Sequence, residues 1–177
     1  MTLIDEPSED GGRTEADAVD FGWKIHSALA DWTGKVDAKA SFALAAESAG
    51  LIATINLTAQ GRAFSSLRHL WQVVGLWLAI GLLLFAAILA IVAVTPRLRR
   101  GRIDAEAATN FIYFGHLRHW QPDDLTQALL RRALLPTLAT QCVNMSGIAW
   151  RKHRLVQSSL TLAAIAAGVL LALIATA

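Results

Sequence analysis

A chain of 177 residues with 54% hydrophobic side chains, 17% charged ones and a mean hydropathy of +0.43 lies on the membrane side of globular averages. Its single cysteine, Cys142, excludes an internal disulfide and fits a reducing compartment. The net charge of +2 hides an asymmetry, because residues 1–39 hold nine acidic and four basic side chains whereas residues 95–157 hold ten basic and four acidic ones.

Residues 1–16 place Pro7, Gly11 and Gly12 among acids and serine, which reads as a disordered acidic tail. Without the hydrophobic core of a signal peptide, no cleaved leader is expected there. Residues 17–39 read as an amphipathic cytoplasmic helix, with Phe21, Ile25, Ala28, Leu29, Trp32 and Val36 at helical spacing on one face. That face is too short and too flanked by charge to insert, so it is expected on a partner helix or at the interface. Gly34 weakens this helix without stopping it, and it can continue straight into the next segment.

Residues 40–60 are mostly Ala, Leu and Ile and read as a probable transmembrane helix. Glu47, Ser48, Thr54, Asn56 and Thr58 interrupt its apolar character, and a soluble helix stays the competing reading because an ionisable group at membrane depth is costly. At about 100° per residue Glu47, Thr54 and Thr58 fall within about 40° of one another. Ala46, Gly50 and Ala53 make a neighbouring small-residue face suited to close helix approach. Two readings follow. These polar groups fix a compact bundle by hydrogen bonds between helices, or they line a membrane polar path once several copies assemble.

The clearest span is Val73 to Val94, 22 residues without a charged or amide side chain. At about 1.5 Å per residue it reaches across a bilayer core. Residues 158–177 supply a third apolar span. Arg97, Arg99, Arg100 and Arg102 follow the second span, and Arg151, Lys152 and Arg154 precede the last one. The positive-inside rule makes the basic module between them, residues 95–157, cytoplasmic. Three spans then leave the N-terminus cytoplasmic as well, the loop from Gly61 to Gln72 outside, and a multi-pass membrane protein. Topogenic and lipid-phosphate roles account for the arginines, so no nucleic-acid polymer is expected as a partner.

Within the module Asp104 is a candidate N-cap, and Gln121-Pro122-Asp123-Asp124 is a clearer helix start. The stripe Leu130, Leu134, Leu138, Cys142, Met145 and Ala149 runs on toward the last span, with Pro136 expected to kink the helix, not end it. No strand alternation and no internal repeat appears. The fold class is therefore an all-α membrane protein of about three transmembrane helices, with a helical cytoplasmic segment between the second and third.

Asn110 to Trp120 is the segment richest in aromatic and hydrogen-bonding side chains. It reads as a structured turn in which Phe111, Phe114 and Trp120 plug a junction. It also reads as a ligand site in which Tyr113 stacks on a base while His116 or Arg118 meets a phosphate. His116 and His119 have a spacing that a metal could use, but no carboxylate or cysteine nearby completes a shell, so no metal is expected. No glycine-rich phosphate loop, zinc-protease signature or nucleophile elbow is present, and no cofactor or enzymatic activity is expected.

The run Trp32…Asp37-Ala38-Lys39-Ala40-Ser41 before a span resembles the Pycsar effector proteins of the transmembrane type. So do Asn110-Phe111-Ile112-Tyr113-Phe114-Gly115-His116 and the following helix with Gln141, Ile148 and Lys152 before a final span. The resemblance covers nearly the whole chain. It implies an effector of bacterial antiphage immunity that is functionally linked to a pyrimidine cyclase. Such an effector responds to cyclic UMP or cyclic CMP by impairing the inner membrane, which gives abortive infection. On that footing the ligand's phosphate is expected at Lys39, Arg102 or Arg118 and its base on Tyr113 or Phe114. Asn110, His116 and Gln141 are then placed to discriminate the base, and the lipid bilayer and further copies of the chain are the other expected partners. The alternative is a small membrane anchor that holds a cytosolic partner through the Phe21–Val36 helix and the Leu130–Met145 stripe. A third class, a proton or ion translocating subunit, would need Glu47 constitutively.

Overall fold

The computed structural model describes residues 13–65, 67–96 and 110–176. Among them the chain is helical without a strand, in the order α1 (Glu15–Leu57), α2 (Leu70–Val94), α3 (Phe114–Leu117), α4 (Pro122–Arg131) and α5 (Leu134–Thr176). Three of these helices, α1, α2 and α5, are long and apolar enough to cross a bilayer, which fits a multi-pass membrane protein. Most of the expected acidic tail, the arginine run after the second span and the cap expected at Asp104 lie outside the described residues.

The chain divides into two compact units, Met1–Ala28 with Arg99–Asn144 and Leu29–Leu98 with Met145–Ala177. Helices α1 and α5 each contribute to both.

The second unit holds the apolar lengths of α1, α2 and α5. Buried positions on α2, namely Gln72, Leu76, Ala79, Leu83, Ala86, Ala90 and Ala93, advance in alternating steps of four and three. On α1 Val36, Ala40, Ala43, Glu47 and Thr54 keep the same rhythm, with half-buried Gly50 filling the step before Thr54. Val156, Ser159, Ala166 and Leu173 on α5 fall in the same seven-residue register. A 3.5-residue repeat keeps one narrow seam of each helix turned toward its neighbours. Those seams are dominated by alanine, while Trp77, Leu78, Leu84, Phe85 and Ile88 of α2 are exposed. Small residues inside and bulky apolar ones outside is the arrangement helices adopt when the surrounding solvent is lipid.

At one end of this bundle Val36, Ala40, Ala93 and Val156 cluster with Val94 and Leu155. At the other, Phe64, Leu76 and Leu173 pack with Leu67, Ile80 and Val169. The loop after α1 is folded back by a bond from the Phe64 amide to the Leu57 carbonyl (2.9 Å), and Gly61 supplies the left-handed backbone (φ 75°) that the turn requires. Gln72 ties that end together. Its Oε1 accepts the backbone amides of Arg68 and His69, and its Nε2 donates to the Thr176 carbonyl at 3.1 Å.

In the first unit α1 starts at Glu15, two residues inside the expected tail, because Thr14 and Asp17 form a reciprocal cap. The Thr14 hydroxyl donates to Asp17 Oδ2 (2.7 Å), and the Asp17 amide donates to the Thr14 hydroxyl oxygen (3.2 Å). Helix α1 meets α5 at Gly22, where an added Cβ would lie 2.7 Å from the fully buried Leu138 side chain. The Cys142 thiol donates to the Gly22 carbonyl at 3.7 Å.

Three expectations are corrected by this fold. Pro136 does not kink a continuous helix, because α4 ends at Arg131, Arg132 is extended, and Pro136 is the third residue of α5. There its missing N–H falls among the first-turn donors that have no intrahelical acceptor. Ala46 and Ala53 are exposed, and close approach uses Ala40, Ala43 and Gly50 on the heptad seam. Phe21, Ile25 and Trp32 are 40–54% exposed, since the same seam takes Leu29 and Val36 inward and leaves those side chains beside it.

Candidate functional site

The segment from Asn110 to Trp120 is organised by its rings. Phe111 is buried and meets Trp120 edge to face at 5.9 Å, while Trp120 Nε1 donates to the Asn110 carbonyl at 3.3 Å and closes the loop. The Arg132 guanidinium lies 5.4 Å over the Trp120 ring. Tyr113 is extended as the N-cap of α3, and its carbonyl accepts the amides of His116 and Leu117. Its ring contacts Phe114 at 4.5 Å and stands edge-on to His116 at 5.3 Å. Gly115 makes this possible, because a Cβ there would collide with Tyr113 Cε1.

The structure thus gathers Tyr113, Phe114 and His116 into one cluster with unequal access. His116 is buried, Tyr113 half-buried and Phe114 64% exposed. Arg118 is exposed one turn on, its Nε donating to His119 Nε2 at 3.0 Å. Asn110 is half-buried and uses its carbonyl on Trp120, and Gln141 sits half-buried on α5 in the same unit. Lys39 belongs to the other unit, exposed on α1, and Arg102 lies outside the described residues. Among the described residues no group of three His, Cys, Asp or Glu side chains is placed to hold a metal ion.

Polar contacts between the long helices form a second set. Lys152 of α5 donates to both carboxylate oxygens of Asp37 on α1, at 2.6 and 2.8 Å. Ten residues further along α1, Glu47 is 2% exposed and accepts the hydroxyl of the fully buried Ser159 at 2.5 Å through Oε1. Its Oε2 is buried without a hydrogen-bond partner among the described residues. Thr54 shares the buried face of Glu47 but donates to its own Gly50 carbonyl at 2.7 Å. Thr58 does not share that face. The helix ends at Leu57, so extrapolating 100° per residue fails one step later, and the exposed Thr58 hydroxyl turns to the Ile55 carbonyl.

The model of the PycTM family, the Pycsar effector protein domain, matches residues 21–177. The chain belongs to the PycTM family. Neither the curated proteins nor the solved structures gave a match. PycTM membership carries a role in Pycsar antiphage defence and a link to a cyclase, and it is consistent with a non-enzymatic effector. The matched stretch takes in α2, α5, the whole aromatic segment and all but the first six residues of α1, and it leaves out the Thr14–Asp17 cap.

Two residues of this PycTM chain escaped the sequence reading. Ser159, the partner of Glu47, looks in sequence like one of several small polar residues before the last span. Its signal is the heptad register Lys152, Ser159, Ala166, Leu173, which places it on the seam. Gln72, at the very edge of an apolar run, was read as loop although it is the hydrogen-bonding hub of that end.

Proposed function

We propose that this PycTM effector binds a cyclic pyrimidine nucleotide, cyclic UMP or cyclic CMP, on its cytoplasmic unit and answers by impairing the bacterial inner membrane, so that infected cells die early. The observation that carries the reading is that α1 and α5 each run without a break from the unit holding Tyr113, Phe114, His116, Arg118 and Gln141 into the unit holding the candidate spans. A ligand that favours one arrangement of the first unit therefore acts on segments continuous with the bundle, and it shifts the equilibrium only through its different affinity for the two states.

In this reading the exposed Phe114 ring and half-buried Tyr113 form the platform on which the base stacks. The Arg118 guanidinium meets the single phosphate charge, with Arg102 as a further cation, and Asn110, His116 and Gln141 discriminate the base; Lys39, in the other unit, is left out of this site. The basic residues Arg151, Lys152 and Arg154, inside α5 and before its apolar length, keep this unit cytoplasmic together with the N-terminus. Seams filled with alanine and leucine favour membrane damage by several assembled copies over a path through one bundle. Glu47 and Thr54 then supply the polar groups of that assembly.

The test is calorimetric binding of cyclic UMP and cyclic CMP to the detergent-purified protein, with cyclic AMP as control. Selective binding to one pyrimidine nucleotide is expected. Tyr113→Ala and Arg118→Ala should each weaken it about tenfold, as loss of one stacking or one charge-assisted contact does. Unchanged affinity in both variants would place the ligand elsewhere. The exposure of Leu129 and Leu130, 60% and 80%, favours the membrane-anchor alternative, which requires no nucleotide binding and a stable complex with a cytosolic protein.

A further inference from the structure

Residues 40–57 of α1, 70–94 of α2 and 155–176 of α5 contain one ionisable side chain, that of Glu47. The closed bundle serves only half of it. Oε1 accepts the Ser159 hydroxyl, whereas Oε2 is buried with no partner among the described residues. The neighbouring hydroxyl that could have helped, Thr54, is committed to the Gly50 carbonyl. In the seam of α2 at this level stand Leu83 and Ala86, which offer nothing polar. The nearest ion pair, Asp37–Lys152, is ten residues away along α1 and closed upon itself.

A buried carboxyl with an unserved oxygen is a high-energy feature, and in an apolar bundle water is what would relieve it. We infer that Glu47 is a built-in load on the closed bundle and that the Ser159 hydroxyl is the latch that holds it. Separation of α1 from α5 exchanges one hydrogen bond for full hydration of the carboxyl. The load therefore lowers the differential affinity that a ligand must contribute to open the bundle, and the latch keeps the bundle shut without ligand. This inference rests on the reading of the chain as a membrane-impairing effector and adds the element that sets its threshold.

A merely structural hydrogen bond and a loaded latch differ in sign. If the pair only stabilises the bundle, removing either member weakens it. If Glu47 is a load, Glu47→Leu stabilises the closed bundle and Ser159→Ala, which strips the carboxyl of its only donor among the described residues, destabilises it. Dye release from proteoliposomes with cyclic UMP, cyclic CMP or no nucleotide separates the two. Ser159→Ala is expected to raise nucleotide-independent release about tenfold, Glu47→Leu to lower nucleotide-dependent release by about as much, and Ser159→Thr, which keeps the hydroxyl, to match wild type. The double variant Glu47→Leu/Ser159→Ala carries no buried carboxyl, so it remains foldable if Ser159→Ala is not, and it should behave as Glu47→Leu. A leaking wild type with both single variants shifted in the same direction, or neither shifted, overturns the latch. Wild-type vesicles that stay sealed with both nucleotides overturn the effector reading instead. The load is then decided by unfolding temperatures in detergent: the order Glu47→Leu above wild type above Ser159→Ala upholds it, and any other order overturns it.

Discussion

Single residues in this chain are decided by space as much as by chemistry. Gly115 and Gly34 are both glycines within or beside helices, yet they should respond oppositely to a methyl group. At Gly115 the methyl would collide with the Tyr113 ring, so Gly115→Ala is expected to cost about 1–3 kcal/mol and to disturb the aromatic cluster. At Gly34 nothing lies within 4 Å, so Gly34→Ala is expected to stabilise α1 by about 0.5–1 kcal/mol. Thermal unfolding of the two variants in one detergent checks both signs. The Asp37–Lys152 pair is half shielded, with side-chain exposures of 36% and 17%, and so should count for more than a surface pair. Asp37→Ala is expected to destabilise by about 1–2 kcal/mol by leaving Lys152 unpaired, and the exchange Asp37→Lys with Lys152→Asp to recover part of that. A double-mutant cycle with no coupling would contradict the pairing.

At the level of elements, the heptad seams make a sharp distinction between positions of similar sequence. Ala86 and Ala90 are fully buried on α2, whereas Leu84 and Phe85 beside them are exposed. Ala86→Leu is expected to overpack the seam at about 1–3 kcal/mol, while Leu84→Ala, facing lipid, should change stability by less than about 1 kcal/mol. The ratio of folded to unfolded protein in a denaturing-detergent titration reads the difference. The second and third spans were legible in the sequence because length and the absence of charge suffice to place an apolar helix, whereas the first, which carries Glu47, rested on length and its Ala, Leu and Ile content alone. The start of α4 at Pro122 was legible for a similar local reason: proline and two acids suit a helix N-terminus. The interruption between α4 and α5 was not, because Leu130, Leu134 and Leu138 continue one periodicity across an extended Arg132 that no side-chain pattern marks. Nor was the partner of Glu47. A face of α1 can be drawn from its own sequence, but which residue of α5 meets it depends on how two helices are set side by side.

For the whole molecule, the aromatic segment and the bundle lie in two units threaded by the same two helices. The family match over residues 21–177 takes in residues of both units. The candidate ligand residues were legible as types, aromatic, amide and cationic, but only folding shows that Tyr113, Phe114 and His116 share one cluster while Lys39 stands in the other unit. On the proposed reading, a cyclic pyrimidine nucleotide turns this protein from a closed bundle into a membrane-damaging one. The most direct test of that reading is dye release from liposomes that carry the purified wild-type protein, on addition of cyclic UMP, cyclic CMP or cyclic AMP. Release with one pyrimidine nucleotide and none with cyclic AMP is the expected result, and vesicles that stay sealed with both pyrimidines, or leak equally with cyclic AMP, would contradict it.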